Sequence, residues 1–122
     1  MYLRVSFAAR AALTGLALAV AAPAVAHPAL KAATPAANAV VSAPSRLQLQ
    51  FSEKLEPKFT GVELMKADGT PVPLKATVGG ADGKMVLASV AGKLAPGQYM
   101  VMWHAVAGDG HRIKGDYNFT VR

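Results

Sequence analysis

The chain has 122 residues, with 13 Lys plus Arg, 7 Asp plus Glu, 3 His and no Cys. That length holds one domain and leaves no room for a catalytic domain beside a regulatory one. The absent cysteine excludes a disulfide framework, a thiolate zinc site, an iron–sulfur cluster and a cysteine nucleophile.

The 52 % hydrophobic content is unevenly spread, with 20 apolar residues in the first 26 and 44 in the remaining 96. Residues 1–26 read as an export signal. Arg4 and Arg10 supply the positive start, Ala11 to Ala22 form an apolar run, and Pro23 precedes the small-residue motif Ala24-Val25-Ala26. An apolar run of about twelve residues is short of the roughly twenty needed to span a bilayer, so a cleaved leader is favoured over an uncleaved anchor. Cleavage after Ala26 makes His27 the first residue of the mature, exported chain, which runs from 27 to 122. It also removes two arginines and lowers the formal charge from +6 to +4, eleven Lys plus Arg against seven Asp plus Glu. The remaining basic residues form no run and alternate with no aromatic platform, which argues against nucleic acid as a partner.

After His27 come period-two segments separated by Pro and Gly. Leu30 to Thr34 is a weak strand, and the Ala-rich stretch from Ala32 to Ala43, bracketed by Pro35 and Pro44, reads as a loop. Arg46 to Ser52 alternates cleanly, with Leu47, Leu49 and Phe51 on one face. Val62 and Leu64 repeat the pattern before an Asp68-Gly69 turn, and Val72 and Leu74, split by Pro73, suggest an irregular edge strand. Lys84 to Val90, Tyr99 to Trp103 and Tyr117 to Val121 complete the set. About seven short strands with turn signals between them predict an all-β domain, an antiparallel Greek-key β-sandwich. Trp103, Phe51, Phe119 and Tyr99 are its expected large core residues.

The chemistry concentrates on the histidines. A mature chain starting at His27 carries a free α-amine and an imidazole on one residue, a bidentate nitrogen chelate. Pro28 has no backbone N–H, so the second peptide nitrogen cannot deprotonate and join the chelate. Gly108-Asp109-Gly110-His111 offers further donors, since Asp109 and His111 can project to one side of an extended or turn segment. Amine, two imidazoles and a carboxylate form an N₃O set suited to tetragonal Cu(II), with zinc as the main competitor. Taken alone, an Asp-Gly stretch such as Asp109-Gly110 is usually just a turn. Along the Tyr99–Trp103 strand, Met100, Met102 and His104 should point away from the core as a soft-donor stripe, a candidate weak Cu(I) or docking surface.

These segments, taken in order, resemble the periplasmic copper-binding CopC family, the copper-resistance protein C type. The resemblance rests on His27-Pro28-Ala29-Leu30, Thr34-Pro35, Leu49-Gln50-Phe51-Ser52-Glu53, Ala95 to Trp103, Gly108 to Gly115 and Phe119-Thr120-Val121. It implies an immunoglobulin-like or cupredoxin-like sandwich or barrel, with Cu(II) ligated by His27, Asp109 and His111. It also implies Glu53 as an auxiliary ligand or outer-shell acceptor, although by its chemistry alone Glu53 could be a solvated surface charge. Some members of the family carry a Met- and His-rich loop that binds Cu(I) at a second site; the corresponding stretch here, Glu63 to Gly69, contains the single Met65, so a Cu(II)-only protein is expected. The expected function is non-catalytic: a monomer that sequesters, buffers or hands over copper, with an inner-membrane transporter of the CopD type as the implied partner. A small histidine-brace copper oxygenase and a metal-free immunoglobulin-like interaction module are the alternatives.

Overall fold

The computed structural model describes residues 29–122, and both the leader and His27 lie outside them. The described residues form strands β1 (Leu30–Thr34), β2 (Val40–Val41), β3 (Arg46–Phe51), β4 (Gly61–Lys66), β5 (Pro71–Val72), β6 (Leu74–Gly79), β7 (Met85–Val90), β8 (Gly97–Val106) and β9 (Arg112–Val121). A single 3-10 turn, Pro57–Phe59, interrupts the described strands. Two sheets face each other, one ordered β1-β3-β7-β6 and the other β2-β9-β8-β4-β5. Among the described residues no helix is long and apolar enough to cross a membrane.

The alternation in the sequence accounts for the core. Leu47, Leu49 and Phe51 on β3 are buried, and across from them lie Leu64, Val101 and Phe119 of the other sheet, all within one hydrophobic cluster. Tyr99 packs parallel to Phe119, with ring centroids 5.6 Å apart and planes at 15°, and its hydroxyl donates to the Ala95 carbonyl at 2.7 Å. A ring buried in this way needs such a partner for its polar end. Tyr117, also buried, has a hydroxyl with no hydrogen-bond partner among the described residues. Desolvation pushes its pKa up to about 12, so the phenol stays protonated at ordinary pH.

The nine described strands exceed the expected seven for two reasons. First, β2 lies inside the stretch read as a loop and pairs parallel to β9, so that sheet is mixed rather than wholly antiparallel. Its backbone is held by Asn38 N–H to Asn118 C=O (2.7 Å) and Thr120 N–H to Ala39 C=O (2.8 Å). Two residues are too few to show a side-chain period. Second, the single irregular strand expected around Pro73 is two strands, because the chain changes sheets there. β5 pairs with β4, and β6 pairs with β7. β8 and β9 also run well past their apolar cores as a ten-residue antiparallel ladder from Gly97↔Val121 to Val106↔Arg112.

Trp103 is only half-buried. Its ring meets Phe51 edge-on at 5.2 Å and lies across Gly115, its register partner on β9. A Cβ at position 115 would sit 2.5 Å from Trp103 Cζ2 and 2.8 Å from Cε2. Gly115→Ala should therefore lift a rigid ring off Phe51 and lower stability by about 1–3 kcal/mol, the usual range for overpacking. Urea denaturation followed by tryptophan fluorescence measures it, and an unshifted midpoint would contradict the packing.

Candidate metal centre

The β8–β9 ladder closes through residues 107–111. The Ala107 N–H donates to the His111 carbonyl (2.9 Å), and the Gly110 N–H donates to the Ala107 carbonyl (2.9 Å). Gly110 sits at φ 91°, a left-handed conformation that glycine adopts without steric cost. Asp109 Oδ1 accepts the His111 backbone N–H at 3.1 Å, the local turn that Asx residues favour. Asp109 Oδ2 lies 2.6 Å from His111 Nδ1. The motif is thus the plain turn, and the turn brings the two candidate donors into contact.

Both members of the pair face solvent, with side-chain exposures of 42 % for His111 and 53 % for Asp109, so an ion can reach them from outside. Hydrogen bonds from the His111 backbone N–H and then from its ring hold the Asp109 carboxyl below the usual aspartate range. A carboxylate against Nδ1 orients the imidazole, as the outer-shell partners of metal-binding histidines do. The carboxylate also adds negative charge beside any bound cation.

Two further segments come to the same end of the sandwich. Ala29 is tied to Ser52 twice, by its N–H to Ser52 Oγ (2.9 Å) and by the Ser52 N–H to its carbonyl (2.9 Å). The stretch after Ser52 then runs alongside the turn. The Gly108 N–H donates to the Lys54 carbonyl (3.2 Å), Leu55 bridges Ala107, and the Glu56 N–H donates to the Val106 carbonyl (2.7 Å). Glu53 is half-buried between the two anchored residues Ser52 and Lys54. The sequence reading gave Ser52 no role of its own. Its signal was a hydroxyl directly after a buried strand end, beside the segment that leads into β1.

The structure therefore joins Asp109 to His111 and brings the Glu53 segment beside their turn, while His27 lies outside the described residues. Among the described residues, no group of three His, Cys, Asp or Glu side chains forms a metal cage. Met100, Met102 and His104 lie elsewhere, on the outward face of β8: Tyr99 and Val101 are buried, whereas the methionines are half-buried and His104 is exposed.

Known proteins match both the sequence and the architecture. A family model described as the CopC domain matches residues 30–122. The chain is similar to the copper resistance protein C of Escherichia coli, at 44 % identity over 121 residues covering 93 % of this chain and 96 % of that one. It is also similar to the copper resistance protein C of Pseudomonas syringae pv. tomato, at 38 % identity over 103 residues covering 80 % and 82 %. Among solved structures, PcoC, a methionine-rich copper resistance protein from Escherichia coli, superposes with a TM-score of 0.73 at 41 % identity, covering 80 % of this chain and all of that one (100 %). CopC from Methylosinus trichosporium OB3b superposes with a TM-score of 0.72 at 29 % identity, covering 78 % and 93 %.

Proposed function

Because the chain belongs to the CopC family, we propose that it binds copper in the oxidised state at the His111 end of the sandwich and serves copper resistance by holding or handing over the ion. Copper here is cargo, taken up and released by ligand exchange. The donors are the His27 amine and imidazole, the His111 imidazole, and Asp109, with Glu53 as a fourth-position or outer-shell carboxylate.

The observation that carries this reading is the 2.6 Å His111–Asp109 pair, set at the end of the fold where Ala29 is tied to Ser52. Two residues of extended chain reach about 7 Å, so the reading requires the pair to lie within that reach of Ala29. A set of nitrogen and oxygen donors suits Cu(II), which stands highest in affinity among the first-row divalent ions. The donors also couple binding to pH, since amine and imidazole must lose protons to bind. The proposed compartment is the periplasm, reached by export through residues 1–26, with a CopD-type membrane transporter as the recipient.

The experiment compares chain starting at His27, verified by intact mass, with chain carrying one extra residue before it. The added residue separates the free amine from the imidazole. Cu(II) titration against a competing chelator should show much weaker binding by the extended form. Equal affinity would sink the amino-terminal ligand assignment.

A further inference from the structure

The charges of the sandwich are divided unevenly between its two ends. β8 runs from Gly97 to Val106 and leads into the His111 turn, so the Gly97 end of the ladder is the far one. Lys66 closes β4 opposite Tyr99, Arg122 follows β9, and Lys93 lies between β7 and β8. In the other sheet Arg46 opens β3 and pairs with Ser89, which pairs in turn with Lys75 of β6. Among the described residues this far half carries five Lys and Arg against one carboxylate, Asp68, whereas the His111 half balances six against six. The formal excess of positive charge therefore stands at the end away from the candidate metal centre.

We propose that this far end docks on an anionic phospholipid bilayer, with Arg46, Lys66, Lys75, Lys93 and Arg122 turned to the lipid phosphates. Arg46, Ser89 and Lys75 form one row across three strands, and the usual strand spacing puts the two cations about 10 Å apart. A hollow of about 380 Å³ lies over this row, lined also by Thr77 and Leu87. A guanidinium fork meets two phosphate oxygens at once, an ammonium adds a point charge, and the Ser89 hydroxyl can donate between them. None of the four strands of this sheet contains Asp or Glu. Among the described residues neither Arg46 nor Lys75 has an ion-pair partner. The one carboxylate at this end is already engaged, since Asp68 Oδ1 accepts the Thr70 N–H at 2.9 Å and Lys66 attracts it.

The arrangement favours an extended surface over a small ion. The five cations come from both sheets and from a connecting loop, so one small anion cannot gather them, while a plane of lipid phosphates can oppose them together. Each cation held within a Debye length of an anionic leaflet, about 8–10 Å, adds to the attraction. An apolar side chain accompanies them. Val40 is 56 % exposed, pairs with Thr120 near the end of β9, and accepts a hydrogen bond from the Arg122 guanidinium on its carbonyl at 3.3 Å. Binding at a membrane interface adds such apolar burial to the electrostatic term. Docked by this end, the protein turns the His111 pair to the aqueous side, where an ion can still exchange. The surface shares no residue with the candidate metal centre, so it stands or falls separately from the Cu(II) reading.

The test is co-sedimentation of the purified protein with vesicles of phosphatidylglycerol mixed with phosphatidylcholine, and with vesicles of phosphatidylcholine alone. The expected result is binding to the first only, weakening as sodium chloride is raised. Arg46→Gln combined with Lys75→Gln, both exposed positions, should weaken that binding about tenfold or more. Lys58→Gln combined with Lys114→Gln removes the same charge from the His111 half and should change it less than about twofold. Urea unfolding midpoints of both double variants check that the fold is kept. Absence of binding to the phosphatidylglycerol vesicles overturns the proposal and leaves the basic end to an acidic protein. Equal loss in the two double variants overturns it too, because net charge and not this end would then be responsible. Release from the vesicles by inorganic phosphate at the same phosphate concentration, at constant ionic strength, would replace the bilayer by a small-anion site.

Discussion

Replacing His111 by Ala is expected to produce the largest loss of Cu(II) affinity of any change among residues 29–122. The loss should exceed the roughly 10–100-fold that removal of an outer-shell partner costs at a metal site. Asp109→Asn should lose less than His111→Ala, because Asn keeps an oxygen for the ion and for the His111 backbone N–H but loses the carboxylate charge. The two variants should also differ in pH profile. The hydrogen bonds from His111 depress the Asp109 pKa in the folded chain below its ordinary 3.8. Its stabilising effect on the turn is therefore fully present above that value and is lost only as pH falls through the lower, folded one. Copper release on acidification below about pH 6 must then come from protonation of the nitrogen donors, which have to lose protons to bind. Chelator competition from pH 7.5 to 5 measures this. A wild-type affinity flat across that range, or a His111→Ala variant matching wild type, would remove His111 from the ligand set.

Phe51→Ala is expected to cost about 3–5 kcal/mol of unfolding free energy, the usual range for truncating a buried aromatic. Phe51 is 1 % exposed and meets Trp103 edge-on, so its loss removes both core volume and the support of the half-buried indole. Its place in the chain adds a functional consequence. Phe51 ends β3 directly before Ser52, which ties down Ala29, so a loosened β3 end should weaken Cu(II) binding as well as the fold. Chemical denaturation measures the first effect. A loss below about 1 kcal/mol would mean that the site collapses around the cavity more completely than cores usually do.

The candidate centre was largely legible because its central contact is local. Asp109 and His111 are two residues apart, and the composition Gly-Asp-Gly-His predicts a turn that must put their side chains near one another. The turn reading and the ligand reading competed in the sequence; the hydrogen bonds show the turn and bring together the two side chains that the ligand reading requires. Ser52 was illegible because its partner, Ala29, is 23 residues away and has no side-chain chemistry that announces it. Glu53 stays between two readings for a related reason: the backbone anchors on either side place its segment, while the carboxylate itself is committed by neither.

The copper-resistance function rests on the order of the motifs and on the relatives that share them, while the ligands rest on donor chemistry. The opposite faces of β8 illustrate the boundary between the two kinds of reasoning. Alternation along one strand assigns Tyr99 and Val101 to the core and Met100, Met102 and His104 to the outside, and the structure agrees. Alternation cannot say which residue of another strand lies beside Met100, so Met65 looked like a lone methionine.

By itself, then, the sequence determined what depends on neighbours along the chain: the period-two strands, the β-sandwich class and the glycine turn carrying His111. The tertiary structure alone decided the parallel pairing of β2 with β9, the change of sheet at Pro73, the fastening of Ala29 to Ser52, and the pairing of Met65 with Met100. The physical reason is that side-chain period is a property of one strand. Register is set by the fit of two strands and the core between the sheets, and a shift of one residue would turn every one of these side chains to the opposite face.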